Sequence, residues 1–305
     1  MKTLLLLLFI GIVGIGFGQD TYVPDDSFEL LLETFHGASN GTPNDNYVST
    51  AVVESIQGLS ISSSLVPSGI ISDFTGIESF NSLHTFGIQN MNMIDVNLSA
   101  LTIVSSGGLF DFQMTVSNCN LLQNLTMPHG GGIKSNINDC VSLVNINYHS
   151  DNILEGSFII GQCPSLTSYD ISMVSSVKLQ SQIWLGNNGQ LQCVNLKNGY
   201  CSNWAGVGVT GSPLLNCIEV DDPNYCNISE GITWNSQING VPIYSTNCNN
   251  TCSVVLGISE YNSNQPKELI KIINLLGQEV EYTPNTILIY QYSNGTSEKV
   301  FTLED

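Results

Sequence analysis

The sequence holds no arginine and only seven lysines against 26 acidic residues, a formal charge of −19 over 305 residues. Neutralising phosphate requires clustered Lys and Arg, so nucleic acid is excluded as a partner and an anionic membrane surface is a poor one. Long apolar runs are also missing. After residue 18 nothing approaches the roughly 18–20 uninterrupted apolar residues of a spanning helix, so no transmembrane span is expected and the mature chain should be soluble. Histidine is scarce, with His36, His84, His129 and His149 scattered, and no cysteine pair has C-x-x-C spacing, which argues against a zinc site. G-x-S-x-G, H-E-x-x-H and a phosphate-cradling glycine loop followed by Lys are all absent. The chain is therefore not expected to be an enzyme, and no cofactor or metal is implied.

What is present begins with Lys2, the apolar run Leu4 to Ile15 and the small residues Gly16 and Gly18. This is the pattern of a secretory signal peptide over residues 1–18, with cleavage expected between Gly18 and Gln19. About 285 residues would remain, more than one compact core usually organises, which leaves several domains or an elongated repeat array. In an exported chain, nine cysteines suggest a disulfide framework with one left over. Position splits them into two groups. Cys119, Cys140 and Cys163 recur with a repeat, whereas Cys193, Cys201, Cys217, Cys226, Cys248 and Cys252 crowd together.

The segments CNLLQNLTM from Cys119, CVSLVNINY from Cys140 and CPSLTSYDI from Cys163 superimpose without a gap as C-x-x-L-x-x-Φ-x-Φ, where Φ is apolar. Relaxing the Cys adds FNSLHTFGI from Phe80, LSALTIVSS from Leu98, NGQLQCVNL from Asn188 and SPLLNCIEV from Ser212. The shared leucines are Leu83, Leu101, Leu122, Leu143, Leu166, Leu191 and Leu215, spaced 18 to 25 residues apart. Alternation points the Φ positions inward and the residues between them outward. A fainter apolar stretch (FQMTV, IKSNI, SFII or QIWL) precedes several anchors and is expected to form a return strand. Such a coil buries its apolar face only against its neighbours, so the array needs caps at both ends. The three recurring cysteines are expected to be reduced and buried, in the slot that Phe80 and Leu98 fill in the preceding coils.

Through these units the chain resembles secreted bacterial leucine-rich-repeat proteins, in particular those with short repeats bearing a Cys three residues before the first Leu. The resemblance covers roughly residues 77–220. It implies a mainly β fold, a leucine-rich-repeat solenoid of about seven short coils with an N-terminal helical cap and a small C-terminal β-domain. Tyr22 to Phe35 resembles the cap, with Asp25 and Asp26 at a helix start and Phe28, Leu31, Leu32 and Phe35 on one face. The loop from His36 to Tyr47 is rich in Asn and Asp but lacks calcium-loop spacing. The expected organisation is a cap with first strands over 19–76, the solenoid and its disulfide-stapled cap over 77–252, a polar linker over 253–266 and a β-domain over 267–305. The same resemblance implies a Cys217–Cys248 bridge near the last coil, after which Cys193–Cys201 and Cys226–Cys252 would follow.

The tail, with Lys267 to Asn274 as a strand, Leu275-Leu276-Gly277-Gln278-Glu279 as a turn and a hairpin turning at Ser293-Asn294-Gly295, resembles the C-terminal sorting domain of the type IX (Por) secretion system. That resemblance implies a type IX translocon as partner through Lys267 to Asp305. It also implies delivery to the outer-membrane surface or the medium.

The candidate ligand-facing residues are those between the Φ positions. They run Thr85, Gly87 and Gln89; Asn124, Thr126 and Pro128; Asn145, Asn147 and His149; Ser168, Asp170 and Ser172; Cys193, Asn195 and Lys197; then Cys217, Glu219 and Asp221. This strip is small, polar and poor in the Trp, Tyr and Arg that favour protein partners, and its amides and hydroxyls suit a glycan. His129 with Gly130-Gly131-Gly132 is expected to be a return turn rather than an oxyanion hole, and Asp221-Asp222 a cap feature. The expectation is an extracellular binding or adhesion protein for a glycan or protein ligand. The alternatives are a polysaccharide-active enzyme on a β-solenoid and a structural surface-layer protein.

Overall fold

The computed structural model describes residues 19–66, 70–104, 112–223, 233–237, 243–249, 252, 269–274, 278, 280, 282–283, 285–292 and 297–301. The expected signal peptide, the expected 253–266 linker, Cys226 and the expected hairpin turn at Ser293-Asn294-Gly295 lie outside them. The chain divides into two compact units, Met1–Val254 and Val255–Asp305. The larger is a β-solenoid of about six turns rather than seven, and the protein is mainly β.

Each full coil contributes two strands. The longer ones form a parallel sheet in the order Gly58–Ser62, Thr85–Gln89, Phe112–Ser117, Gly132–Asn138, Ile153–Gly161, Ser181–Gly186, Trp204–Thr210 and Thr233–Gln237. These are the stretches read as faint return strands, and they make the dominant surface. The three-residue strands carrying the repeat motif make two narrower sheets. Asp95–Asn97, Asn124–Thr126 and Asn145–Asn147 form one, and Ser168–Asp170, Cys193–Asn195, Cys217–Glu219 and Ile243–Ser245 the other.

Alternation places Phe86, Ile88, Met114, Val116, Phe158 and Ile160 inward from the broad sheet, against Val96, Leu125, Ile146, Tyr169, Val194 and Ile218 from the narrow ones. The motif leucines Leu122, Leu143, Leu166, Leu191 and Leu215 are fully buried between the two layers. No coil could bury these residues alone, so stability comes from stacking.

The corner after each broad strand has a local cause. Asn90, Asn118, Asp139, Gln162, Asn187 and Gly211 all have positive φ, a conformation that Gly, Asn and Asp adopt at least cost. The next residue turns into the core: Met91, Cys119, Cys140 and Cys163, then Asn188 and Ser212. Each cysteine donates its S–H to the carbonyl two residues before it, at 3.4 Å from Cys119, 3.4 Å from Cys140 and 3.3 Å from Cys163. All three are free and buried, as the sequence leads one to expect.

Two register assignments need correction. Thr85–Gln89 belongs to the broad sheet, so FNSLHTFGI is not a narrow-strand unit. The narrow strand of that coil is Asp95–Asn97, and its cysteine slot holds Met91, not Phe80 or Leu98. Leu98 instead occupies the place of Met127 and Tyr148, bonding through its N–H to the Thr126 carbonyl at 3.1 Å. Each error has a local cause: the Leu83 N–H bonds back to the Phe80 carbonyl and the Leu101 N–H to the Leu98 carbonyl, as that of Leu122 does to Cys119, so both imitate the motif's turn.

The N-terminal helix Asp26–His36 is capped by Asp25, whose Oδ1 accepts the N–H groups of Ser27 and Phe28 at 3.1 and 3.0 Å. Its other oxygen accepts from Ser72 N–H at 2.8 Å and Ser72 O–H at 2.9 Å, tying the cap to the first coil. Phe28, Leu31 and Leu32 are buried and Phe28 packs edge-on against Phe74, but Phe35 is 51% exposed and does not share that face. Buried Glu29 accepts the N–H groups of Asp45 and Tyr47 at 2.9 and 3.3 Å and so anchors the Asn-rich loop.

At the other end Cys217 is bonded to Cys248, as expected, but Cys193 is bonded to Cys252. The Cys193–Cys201 and Cys226–Cys252 pairings are therefore wrong. Cys201 is also disulfide-bonded, with neither Cys193 nor Cys252 as its partner. Sequence proximity favoured Cys201, but stacking puts Cys193 at the start of a narrow strand, where the chain returning after Ile243–Ser245 passes. The C-terminal unit is a three-stranded antiparallel sheet of Leu269–Ile273, Ile287–Tyr292 and Ser297–Phe301.

Candidate functional site

The strip singled out from the sequence lies on the narrow sheets, and the structure brings only parts of it into one surface. Asn145 pairs in register with Asn124 and Asn124 with Asp95. Their side chains bond along the stack: Asn124 donates to Asp95, and Asn145 donates to Asn124 at 2.7 Å. Asn147 donates to the Thr126 hydroxyl at 3.3 Å, and Asn195 to Asp170 at 3.3 Å. An amide has two N–H donors and one carbonyl, so these ladders occupy much of what would meet a ligand.

Three features divide the strip further. No strand pairing joins Asn145–Asn147 to Ser168–Asp170, so the sheet breaks there. Beneath the break the hydroxyls of buried Tyr148 and Tyr169 meet at 3.2 Å. At the far end Cys193 and Cys217 hold Cys252 and Cys248, and Cys193 is buried as a result. Near them Lys197 bonds the Thr246 carbonyl at 3.1 Å and lies 3.8 Å from Glu219, while Asp221 accepts the Gly199 N–H at 2.9 Å. Thr85, Gly87 and Gln89 are on the other side of the solenoid altogether.

His149 stacks on His129, with ring centroids 3.8 Å apart. The His129 Nδ1 is 3.0 Å from Asp151, and the His149 Nε2 donates to the Met127 carbonyl at 2.9 Å, which fixes the proton on Nε2 in the neutral ring. Burial first, and the charge of His129 second, hold the His149 imidazole below the ordinary histidine value. Buried Asn152 supports the cluster, accepting the His149 N–H at 2.7 Å and donating to the Pro128 carbonyl at 2.8 Å. Gly130 and Gly131 sit so close to Ile103 that a Cβ on either would fall within 2.5 Å of it. The expected return turn is instead a short strand, His129–Gly130, paired in parallel with Thr102–Ile103, with a single bend residue before the broad strand from Gly132.

The surface that sequence reasoning passed over is the broad sheet. Its eight parallel strands run without a break, roughly 34 Å across at 4.8 Å per strand. They contain one carboxylate, Glu155, beside a bulge, and one ammonium, Lys134, although the chain carries 26 acidic residues. The outward row through the strand centres includes Ser60, Gly87, Thr115, Asn136, Ile159 and Trp184 in register. A signal was present in the sequence. The alternation QIWLG and GVGVT leaves Trp184 on the face opposite Ile183 and Leu185, which marks it as outward.

Among the described residues no group of three or more His, Cys, Asp or Glu is placed to hold a metal ion, and no helix is long and apolar enough to cross a membrane. No protein-family model matches the chain, and no curated protein matches it significantly, so its assignment rests on the geometry of these two faces.

Proposed function

We propose that this protein is an extracellular binding or adhesion module that captures glycans on its solenoid. The carrying observation is the continuous, nearly uncharged broad sheet on a chain of net charge −19. A polar surface of hydroxyls and amides without fixed charge meets a polyhydroxylated ligand without desolvating ions, the costliest step in burying a polar interface. The resemblance to leucine-rich repeats, the signal peptide over 1–18 and the resemblance of Lys267 to Asp305 to a type IX sorting domain support a secreted or cell-surface location. The disulfides suit an oxidising compartment. The full mature chain applied to a glycan array tests the reading: selective retention on a subset of glycans is expected. Retention on none would refute it.

A further inference from the structure

The benzo half of the Trp184 indole lies over Gly208 on the adjacent strand, where a Cβ at position 208 would sit 2.2 Å from Cε3 and 2.3 Å from Cζ3. Any side chain there would lift the ring, so the glycine is what lets the indole lie down on the sheet. The Trp184 Nε1–H donates to Oε1 of the Gln182 side chain at 3.3 Å, which fixes the ring's direction along its own strand. Trp184 nevertheless remains 39% exposed, and its in-register neighbour on the other side, Ile159, is 37% exposed. The indole is thus presented flat on the open sheet face, in contrast to Trp204, which is buried at 1% exposure.

The polar surroundings are also specific. Asn136 stands next in the same row beyond Ile159, and Thr210 is in register with Gly186, two residues beyond Trp184. An apolar plane bordered by amide and hydroxyl groups, with no carboxylate among them, matches a ring that is apolar on one face and hydroxylated at its edge. We infer that Trp184 is a stacking platform for a neutral pyranose unit of a polysaccharide running across the broad sheet. The C–H groups of the sugar would pack on the indole, its hydroxyls would bond Gln182 and Thr210, and Asn136 would meet a neighbouring unit of the chain. An anionic sugar would meet the acidic field of the whole chain.

This inference rests on the glycan reading and narrows it to one site and one ligand class. It is tested by titrating the full mature chain with neutral hexasaccharides (β-1,4-glucan, β-1,3-glucan, β-1,4-xylan, β-1,4-mannan and chitin), with polygalacturonate as the anionic comparison, by calorimetry and tryptophan fluorescence. At least one neutral hexasaccharide should bind and shift the emission, Trp184→Ala should weaken it at least about tenfold, and Trp184→Phe should fall between. Gly208→Val, which tilts the indole without removing it, should weaken binding as well. Asn145→Ala, in the narrow ladder, should bind as the parent does, and circular dichroism of each variant keeps loss of binding separate from loss of fold. Neutral binding unchanged in Trp184→Ala would overturn the platform while leaving the glycan reading standing. Binding of polygalacturonate alone would overturn the ligand class, and no binding here together with an empty glycan array would overturn both.

Discussion

Asn188 takes in its coil the buried corner position that Cys163 takes in the coil before, and its Oδ1 accepts the Cys163 N–H at 3.0 Å. Its Nδ2 donates to the Ile160 carbonyl at 3.0 Å, so one amide satisfies two backbone groups of the neighbouring coil. Asn188→Ala leaves both unpaired inside the core. Urea unfolding should show a loss of about 2–4 kcal/mol at unchanged m-value. A loss under about 0.5 kcal/mol would mean that water reaches the corner.

The cysteine stack makes a chemical prediction. The nucleophile in alkylation is the thiolate; the Cys119 thiol is pushed far above its ordinary range by the adjacent Cys140 thiol and by burial, whereas Cys140 holds Cys163 below that range, so the protection of Cys163 rests on burial alone. In native protein at pH 8, Cys119, Cys140 and Cys163 should all resist alkylation and become reactive in denaturant. Peptide mass spectrometry reads the modified sites directly, and rapid native labelling of any of the three would contradict the packing.

Cys193 and Cys252 close a chain separation of 59 residues at the last coils. Cys252→Ser should lower stability by about 2–4 kcal/mol, chiefly by releasing the unfolded chain. Non-reducing peptide maps should link Cys193 to Cys252 and Cys217 to Cys248. A Cys193–Cys201 peptide would restore the pairing that the structure rejects.

Acidification should weaken the fold through histidines. His149 and His36 are both held below the usual histidine value, burial being the first cause in each. Below the unfolded value of 6.5 the unfolded chain therefore binds more protons, so stability falls as pH drops from 6.5 toward the folded values and is insensitive to these groups above it. Asp151, held below the ordinary carboxylate value despite its desolvation because it hydrogen-bonds His129, gives stability that disappears only at still lower pH. Melting curves between pH 7.5 and 5.5 should show the first decline. His149→Gln should flatten it in part, leaving the share due to His36.

Export is testable by truncation. Removing Lys267 to Asp305 should leave the protein in the periplasm, whereas normal surface delivery of the shortened chain would show that the segment carries no address.

Much of this architecture is legible in the residues from Cys119 to Val220. The spacing there gives the coil period, the buried leucines, the inward Φ positions and the reduced cysteines, because side-chain direction in a strand is fixed by local backbone geometry. The cap helix is readable for the same reason, since Asp25 and the Phe28, Leu31 and Leu32 spacing are local signals. Upstream, Leu83 imitates the motif, and only pairing with Phe112–Ser117 assigns Thr85–Gln89 to the broad sheet. The partners of Cys193 and Trp184 are likewise 59 and 24 residues away, Cys252 and Gly208. Such pairs are decided by how coils of unequal length stack, an outcome of the summed packing of the array that no local pattern encodes. The sequence by itself determined what each coil buries. The tertiary structure decided which face stays continuous, because parallel pairing carries the broad strands past the point where the narrow sheet breaks between Asn147 and Ser168.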